Sequence, residues 1–172
     1  MIVITTKRGR VGTPQFTVSQ RFGVSRISKK LYMRTFDNLA DAVSVFGTQA
    51  NVDWAPGKYF DHEEEIFGNR PLSHETSVSM SGGTDNTRYF ASGLVKHDGG
   101  IVNHTYYDKQ AMRLNLDQVV GSRINFGLGA QVIHSVAARG LFHNDNSGTS
   151  YGMVLPHTPS YVDLRAVCPD GS

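Results

Sequence analysis

The sequence predicts an all-β fold built from long antiparallel strands. Three observations predict it. Apolar residues recur at every second position, most clearly within 112–117 and 124–132, and the stretches that carry this alternation are longer than an ordinary strand. The connections between these stretches alternate between short and long. The composition favours strands and turns over helices: Gly supplies 18 of 172 residues, aromatics 10% and charged residues only 19%. The chain is long enough for one domain or for a piece of a larger one. Its formal net charge of +2, from 17 basic and 15 acidic side chains, is too balanced to point to nucleic acid or to an anionic membrane surface. Mean hydropathy is -0.30. No window approaches the roughly 18 uninterrupted apolar residues of a spanning helix. Cys168 is the single cysteine, so neither an internal disulfide nor a Cys-based metal site can form.

Residues 2–6 are a β-branched run ended by the Gly-punctuated stretch Lys7 to Gly12, which reads as a strand entering a loop. Pro14 opens a strand over 14–26 in which Phe16, Val18, Phe22 and Val24 share one parity, broken by Gln20. Thr17, Ser19, Arg21, Gly23 and Ser25 share the other. Residues 27–71 differ. Leu39, Ala42, Val43 and Phe46 stand at helical spacing, with Asp37 as the expected N-cap and Gly47 as the stop. Asp61 to Phe67 reads as a second short helical turn, and Trp54, Pro56 and Gly57 between them as loop. Alternation returns at Leu72, His74, Thr76, Val78 and Met80. A tight turn follows at Gly82 to Asn86. The partner strand sets Tyr89, Ala91, Gly93 and Val95 against Arg88, Ser92 and Lys96, with Phe90 and Leu94 blurring its polar side. Asp98-Gly99-Gly100 opens a loop to about Tyr106. Met112, Leu114 and Leu116 then alternate with Arg113, Asn115 and Asp117. Val119 to Ser122 is a short connection. A last strand from about 122 to 137 carries Ile124, Phe126, Leu128, Ala130 and Val132 on one side. Beyond Ala138 the chain reads as polar loop.

Long strands with one apolar and one small-polar face, joined alternately by short and long connections, suit a transmembrane β-barrel. Phe16, Tyr89, Tyr106 and Tyr107 near strand ends suit its interfacial girdles. The same alternation suits a self-contained soluble all-β ligand-binding module with one solvated face. Periodicity does not separate the two.

Specific words separate them. Ile2-Val3-Ile4-Thr5-Thr6-Lys7-Arg8-Gly9 resembles the end of the plug domain of TonB-dependent outer-membrane transporters, where Val/Ile-x-Ile-Thr-Thr-Lys-x-Gly leads into the barrel. Ser77-Val78-Ser79-Met80-Ser81-Gly82-Gly83-Thr84-Asp85-Asn86-Thr87-Arg88-Tyr89-Phe90-Ala91-Ser92 resembles the early barrel hairpin of their SusC/RagA-type branch. Gly100-Ile101, Tyr106 or Tyr107, and Ala111-Met112-Arg113-Leu114-Asn115-Leu116-Asp117 follow in the family's order. The resemblance covers about residues 1–137. It implies a section of a large antiparallel transmembrane β-barrel, about five strands, with a partly helical first extracellular loop. It implies three parts: 1–13, the end of the plug; 14–137, the first barrel strands with the long loop 27–71; and 138–172, the start of a further extracellular loop. Strand 14–26 then runs outward, and 83–86 and 119–122 are periplasmic turns.

The resemblance further implies energy-coupled import of glycans or peptides, a SusD-like surface lipoprotein and the TonB complex as partners, outer-membrane lipid around the barrel, and no cofactor. Val78, Met80, Leu114, Leu116, Phe126 and Leu128 are expected to face lipid. Ser79, Arg88, Arg113, Asn115, Asn125 and Gln131 are expected to face the lumen, as is Arg21. The family has about 22 strands. An open five-strand section would leave backbone groups unpaired in lipid, so the chain is expected to be a fragment, its missing signal peptide a matter of truncation.

Other chemistries fit poorly. His134, His143 and His157 with Asp145 match no compact metal motif. Asp145-Asn146-Ser147-Gly148 lacks the bidentate Glu of a Ca²⁺ loop. Asp61, Glu63, Glu64 and Glu65 beside His62 read as a solvated acidic face rather than a carboxylate pair in a cleft. Ser150 and His157 lack a nucleophile elbow. Gly82-Gly83-Thr84 precedes no Lys-Ser/Thr and no helix, as a phosphate loop would. Trp54, Tyr59 and Phe60 suit packing within the loop better than stacking on a sugar or a lid. No catalytic residue is expected.

Overall fold

Strand length follows from the alternation. In a computed structural model describing residues 7–140 and 150–166, five strands form one antiparallel sheet in sequence order. They are β1 (Gly12–Val24), β2 (Leu72–Gly83), β3 (Thr87–Gly99), β4 (Tyr106–Val120) and β5 (Ile124–Ala138). They run 13, 12, 13, 15 and 15 residues, against about 5–6 for an ordinary strand and about 9–11 for one that crosses a bilayer. The expected run 2–6 lies outside the described residues, as do His143, Asp145 to Gly148 and Cys168.

The ladders β2–β3, β3–β4 and β4–β5 are continuous. The irregularity is in β1, between Gly12 and Gln15. Pro14 sits inside it, where its missing N–H removes no ladder bond. Tight turns at 84–86 and 121–123 join β2 to β3 and β4 to β5. In the first, Thr84 N–H donates to the Thr87 carbonyl at 2.7 Å; in the second, Gly121 takes φ +60°. Several bounds differ from expectation. Val119 and Val120 are paired strand rather than turn. β3 runs through Asp98 to Gly99, which leaves the loop at 100–105. β-branched and aromatic residues prolong the ladder there.

The chain divides into two units. The first is the sheet: 7–25, 70–100 and 104–138. The second comprises the described parts of 26–69, 101–103 and 139–172. In the second unit, helix α1 (Leu39–Phe46) is capped by Asn38, whose Oδ1 accepts from Asp41 N–H at 2.8 Å. Asp37 stands one residue too early, so the expected cap moves by one. Such a cap stabilises a helix by about 0.5–2 kcal/mol. Gly47 stops α1 at φ +73°. A 3₁₀ turn (Gly47–Gln49) and α2 (Ala50–Asp53) follow, then α3 (His62–Phe67), and α4 (Tyr151–His157) lies beyond the sheet strands in sequence.

The core of this unit is small. Ala42, Ala50 and Tyr161 are buried, with Phe36, Val43, Phe46, Trp54 and Val162 packed around them. Phe36, Phe46 and Tyr161 meet edge to face, with centroids 5.6–6.1 Å apart. Such pairs add about 0.5–1.5 kcal/mol beyond area burial. Trp54 is therefore loop core.

Candidate functional site

The sheet has two chemically different faces. Residues paired across antiparallel strands share a face, so the register sorts them. Val18, Val78, Gly93, Met112 and Val132 form one row. Phe16, Met80, Ala91, Leu114 and Ala130 form the next, and Tyr89, Leu116 and Leu128 the one after. Phe126 lies opposite Gln118 on the same side. The six positions expected to face lipid therefore lie on one face. That face is open: Phe16 is 73% exposed, Met112 72% and Val132 69%. A shallow apolar depression runs along it over Ala91, Gly93 and Ala130. A soluble module needs this parity as its internal core, and among the described residues nothing buries it.

Towards one end the face turns polar. His74, His97 and Tyr106 stack across β2, β3 and β4, with centroids 5.6 and 6.2 Å apart. Asp108 Oδ1 lies 2.6 Å from His97 Nδ1. Tyr107 pairs with Asp98 and Ala137 and so belongs to the opposite face from Tyr106. Phe16 lies within the apolar rows rather than at their end. The expectation that all four aromatics mark girdles is corrected to this extent.

The other face carries Ser79, Ser92, Arg113 and Gln131 in one row, and Phe90, Asn115 and Gly129 in the next. Arg88, Asp117 and Gly127 follow, then Asn125. The six positions expected to face the lumen thus also share a side, as does Arg21. Arg113 Nη2 donates to Gln131 Oε1 at 2.5 Å. Phe90 and Leu94 fall on this polar side, and Phe90 is 9% exposed. The segment before β1 lies here too. Asn115 Nδ2 donates to the Lys7 carbonyl at 2.7 Å, and Arg8 Nη1 meets Asp117 Oδ1 at 2.8 Å. Gly9 lies so close to the backbone of Arg88 and Tyr89 that a Cβ would overlap the Tyr89 amide nitrogen.

In the second unit the acidic run of α3 is organised rather than solvated, which corrects the sequence expectation. Glu63 is buried, and its carboxylate accepts from Leu31 N–H at 2.9 Å and Tyr32 N–H at 3.0 Å. Tyr32 takes φ +62°, a left-handed conformation costly for a bulky residue. Asp61 caps α3 by accepting from Glu64 N–H at 2.9 Å. Lys30 Nζ bridges Asp61 at 2.9 Å and Glu64 at 2.6 Å. These bonds to Glu64 and Asp61 hold the Lys30 ammonium above the usual lysine range. For Asp61, burial raises the carboxyl, but the Glu64 N–H and Lys30 outweigh it and leave the carboxyl below its ordinary value.

His62 is fully buried. Its Nδ1 lies 3.1 Å from Glu65 Oε2 and its Nε2 3.2 Å from the Pro159 carbonyl. Phe60 stacks on its ring, with centroids 6.3 Å apart, while Tyr59 is 42% exposed. Among the described residues no group of three or more His, Cys, Asp or Glu is placed to hold a metal ion.

No family model matches the chain. TonB-dependent receptor P3 of Formosa agariphila is 23% identical over 133 residues, which is 74% of this chain and 12% of that receptor. The structure of the RagAB peptide importer in its "closed-closed" state matches with a TM-score of 0.70 at 18% identity. It covers 91% of this chain and 21% of that one. These findings support a SusC/RagA-type TonB-dependent transporter fragment. The chain spans 12% of the receptor and 21% of the solved chain, and its five strands share the barrel fold of the second. The first of these proteins is a receptor by name and the second a peptide importer. No helix among the described residues is long and apolar enough to cross a membrane, which says nothing of a β-barrel. Sequence reasoning missed two features of the chain: the docking of Lys7–Gly9 and the Glu63 clamp. Each rests on a backbone group meeting a side chain far away in the chain, for which no local pattern exists.

Proposed function

We propose that the chain forms the first strands of an outer-membrane barrel that imports glycans or peptides, driven by the TonB complex beneath a SusD-like surface lipoprotein. In this reading β1 runs outward, 25–71 is the first extracellular loop, and 84–86 and 121–123 are periplasmic turns. Residues 1–13 end the plug, 14–137 belong to the wall, and 138–172 begin another extracellular loop. Val78, Met80, Leu114, Leu116, Phe126 and Leu128 face lipid. Ser79, Arg88, Arg113, Asn115, Asn125 and Gln131 face the lumen. The fragment carries no catalytic residue.

The observation that carries this reading is one continuous open apolar face across five long strands, opposite a polar face on which the preceding segment lies. An apolar face of this size is stable only in hydrocarbon or against a partner. The test is single-cysteine labelling of the full-length receptor in native outer membranes. Leu128→Cys should react only with a lipid-phase reagent, and Gln131→Cys only with a water-soluble one. Equal reaction of both with the water-soluble reagent would overturn the assignment.

A further inference from the structure

We propose that Asn115 and Asp117 of β4 are positioning residues that moor the end of the domain preceding the barrel, so that this end stays on the wall while the rest of that domain moves. The proposal rests on the transporter reading. Three contacts of different kinds converge on three consecutive residues. The Lys7 carbonyl accepts from Asn115 Nδ2 at 2.7 Å, a bond to backbone that holds the chain itself. Arg8 pairs with Asp117 at 2.8 Å. Gly9 lies against the backbone of Arg88 and Tyr89, an approach open only to a residue without a Cβ.

The chain next turns at Gly12, φ +136°, and joins β2 opposite Gly83. It therefore crosses the polar side of β4 and β3 before entering the sheet beyond β2. The route decides where a pull from upstream is felt. Applied at Gly12, it would peel β1 from β2 one ladder bond at a time, beginning at the bulge. Applied upstream of Lys7, it loads the Asn115, Asp117 and Gly9 contacts together. The surrounding charge is balanced, since Arg8 and Arg88 face Asp85 and Asp117 around a cavity of about 370 Å³. That balance suits a latch between chain segments more than a site for a free ion.

The full-length receptor tests this with Arg8→Cys and Asp117→Cys in one chain, joined by a bis-methanethiosulfonate linker that a reductant removes. The linker should react in native outer membranes, and the cross-linked protein should take up substrate at least as fast as the reduced protein, which lacks the Arg8–Asp117 pair. Failure to cross-link would overturn the docking, and with it the reading of residues 1–13 as the plug's end. A cross-link that abolishes uptake, restored by reductant, would overturn the mooring alone, since this end would have to move. A second measurement uses charge. Asp117→Arg should lower uptake at least threefold at unchanged substrate affinity, and Arg8→Asp with Asp117→Arg should restore it. Normal uptake in the single variant would also overturn the mooring.

Discussion

Glu63 shows how far one residue's neighbours in sequence mislead about its role. It stands in a run of three glutamates that reads as solvent-facing, yet it is 8% exposed and holds the Leu31 and Tyr32 amides. A buried carboxylate is tolerated when it accepts several N–H bonds, and its loss leaves those donors unpaired. Glu63→Ala should destabilise the loop by about 1–3 kcal/mol, read as faster protease cleavage near residue 31 in the full-length receptor; unchanged cleavage would contradict the clamp. Tyr32→Gly removes the cost of φ +62° and should slow cleavage instead, the strain being worth about 1–2 kcal/mol.

At the scale of elements, pairing makes parity a physical quantity. Shifting any strand by one residue would carry its whole apolar set to the other face, so side-specific charge tolerance tests the register directly. Leu116→Arg or Leu128→Arg in the full-length receptor should block barrel assembly, at about 2–4 kcal/mol per charge near the bilayer centre. Asn115→Asp, one residue away, should assemble normally, read by heat-modifiable gel mobility. Equal effects at both parities would remove the barrel assignment.

The α3 cluster makes a second element-scale prediction. Asp61 is held below its ordinary 3.8, so its contribution is complete above that value and is lost as pH falls through the folded pKa. Lys30 is held above its ordinary value, so its contribution is complete below about 10.4 and is lost only on further alkalinisation. Protease resistance of residues 26–69 should therefore be flat across neutral pH and fall below about pH 4. Asp61→Asn should be less resistant at pH 7 and lose less on acidification.

For the molecule as a whole the question is what solvent the apolar face requires. Among the described residues the buried apolar side chains are Ala42, Ala50, Phe90, Val102, Leu155 and Tyr161, too few to offset the ordering of a long chain. The chain expressed alone in water should give no monodisperse monomer and no cooperative unfolding transition, as read by sedimentation and circular dichroism. A soluble, cooperatively unfolding monomer would return the soluble module to consideration.

The sequence by itself determined the strands, their faces and their order. Two-residue periodicity is a local property, and the turn at Gly82 to Asn86 and the words around Arg113 to Asp117 are contiguous. Bounds moved by a residue or two where capping geometry decided them, as at Asn38. The tertiary structure alone decided the rest. Helices α2 and α4, four and seven residues long, lie below the length at which propensity sustains a helix, and α4 even contains Pro156. Leu155 in α4 and Ala50 in α2 are buried, so packing holds these turns. The Glu63 clamp joins residues 31 or 32 apart, and the Lys7–Asn115 bond joins residues 108 apart. Such contacts depend on where a carbonyl or an amide comes to rest once the sheet has formed. Every residue carries those same backbone groups, so side-chain identity along the chain does not encode which of them will meet.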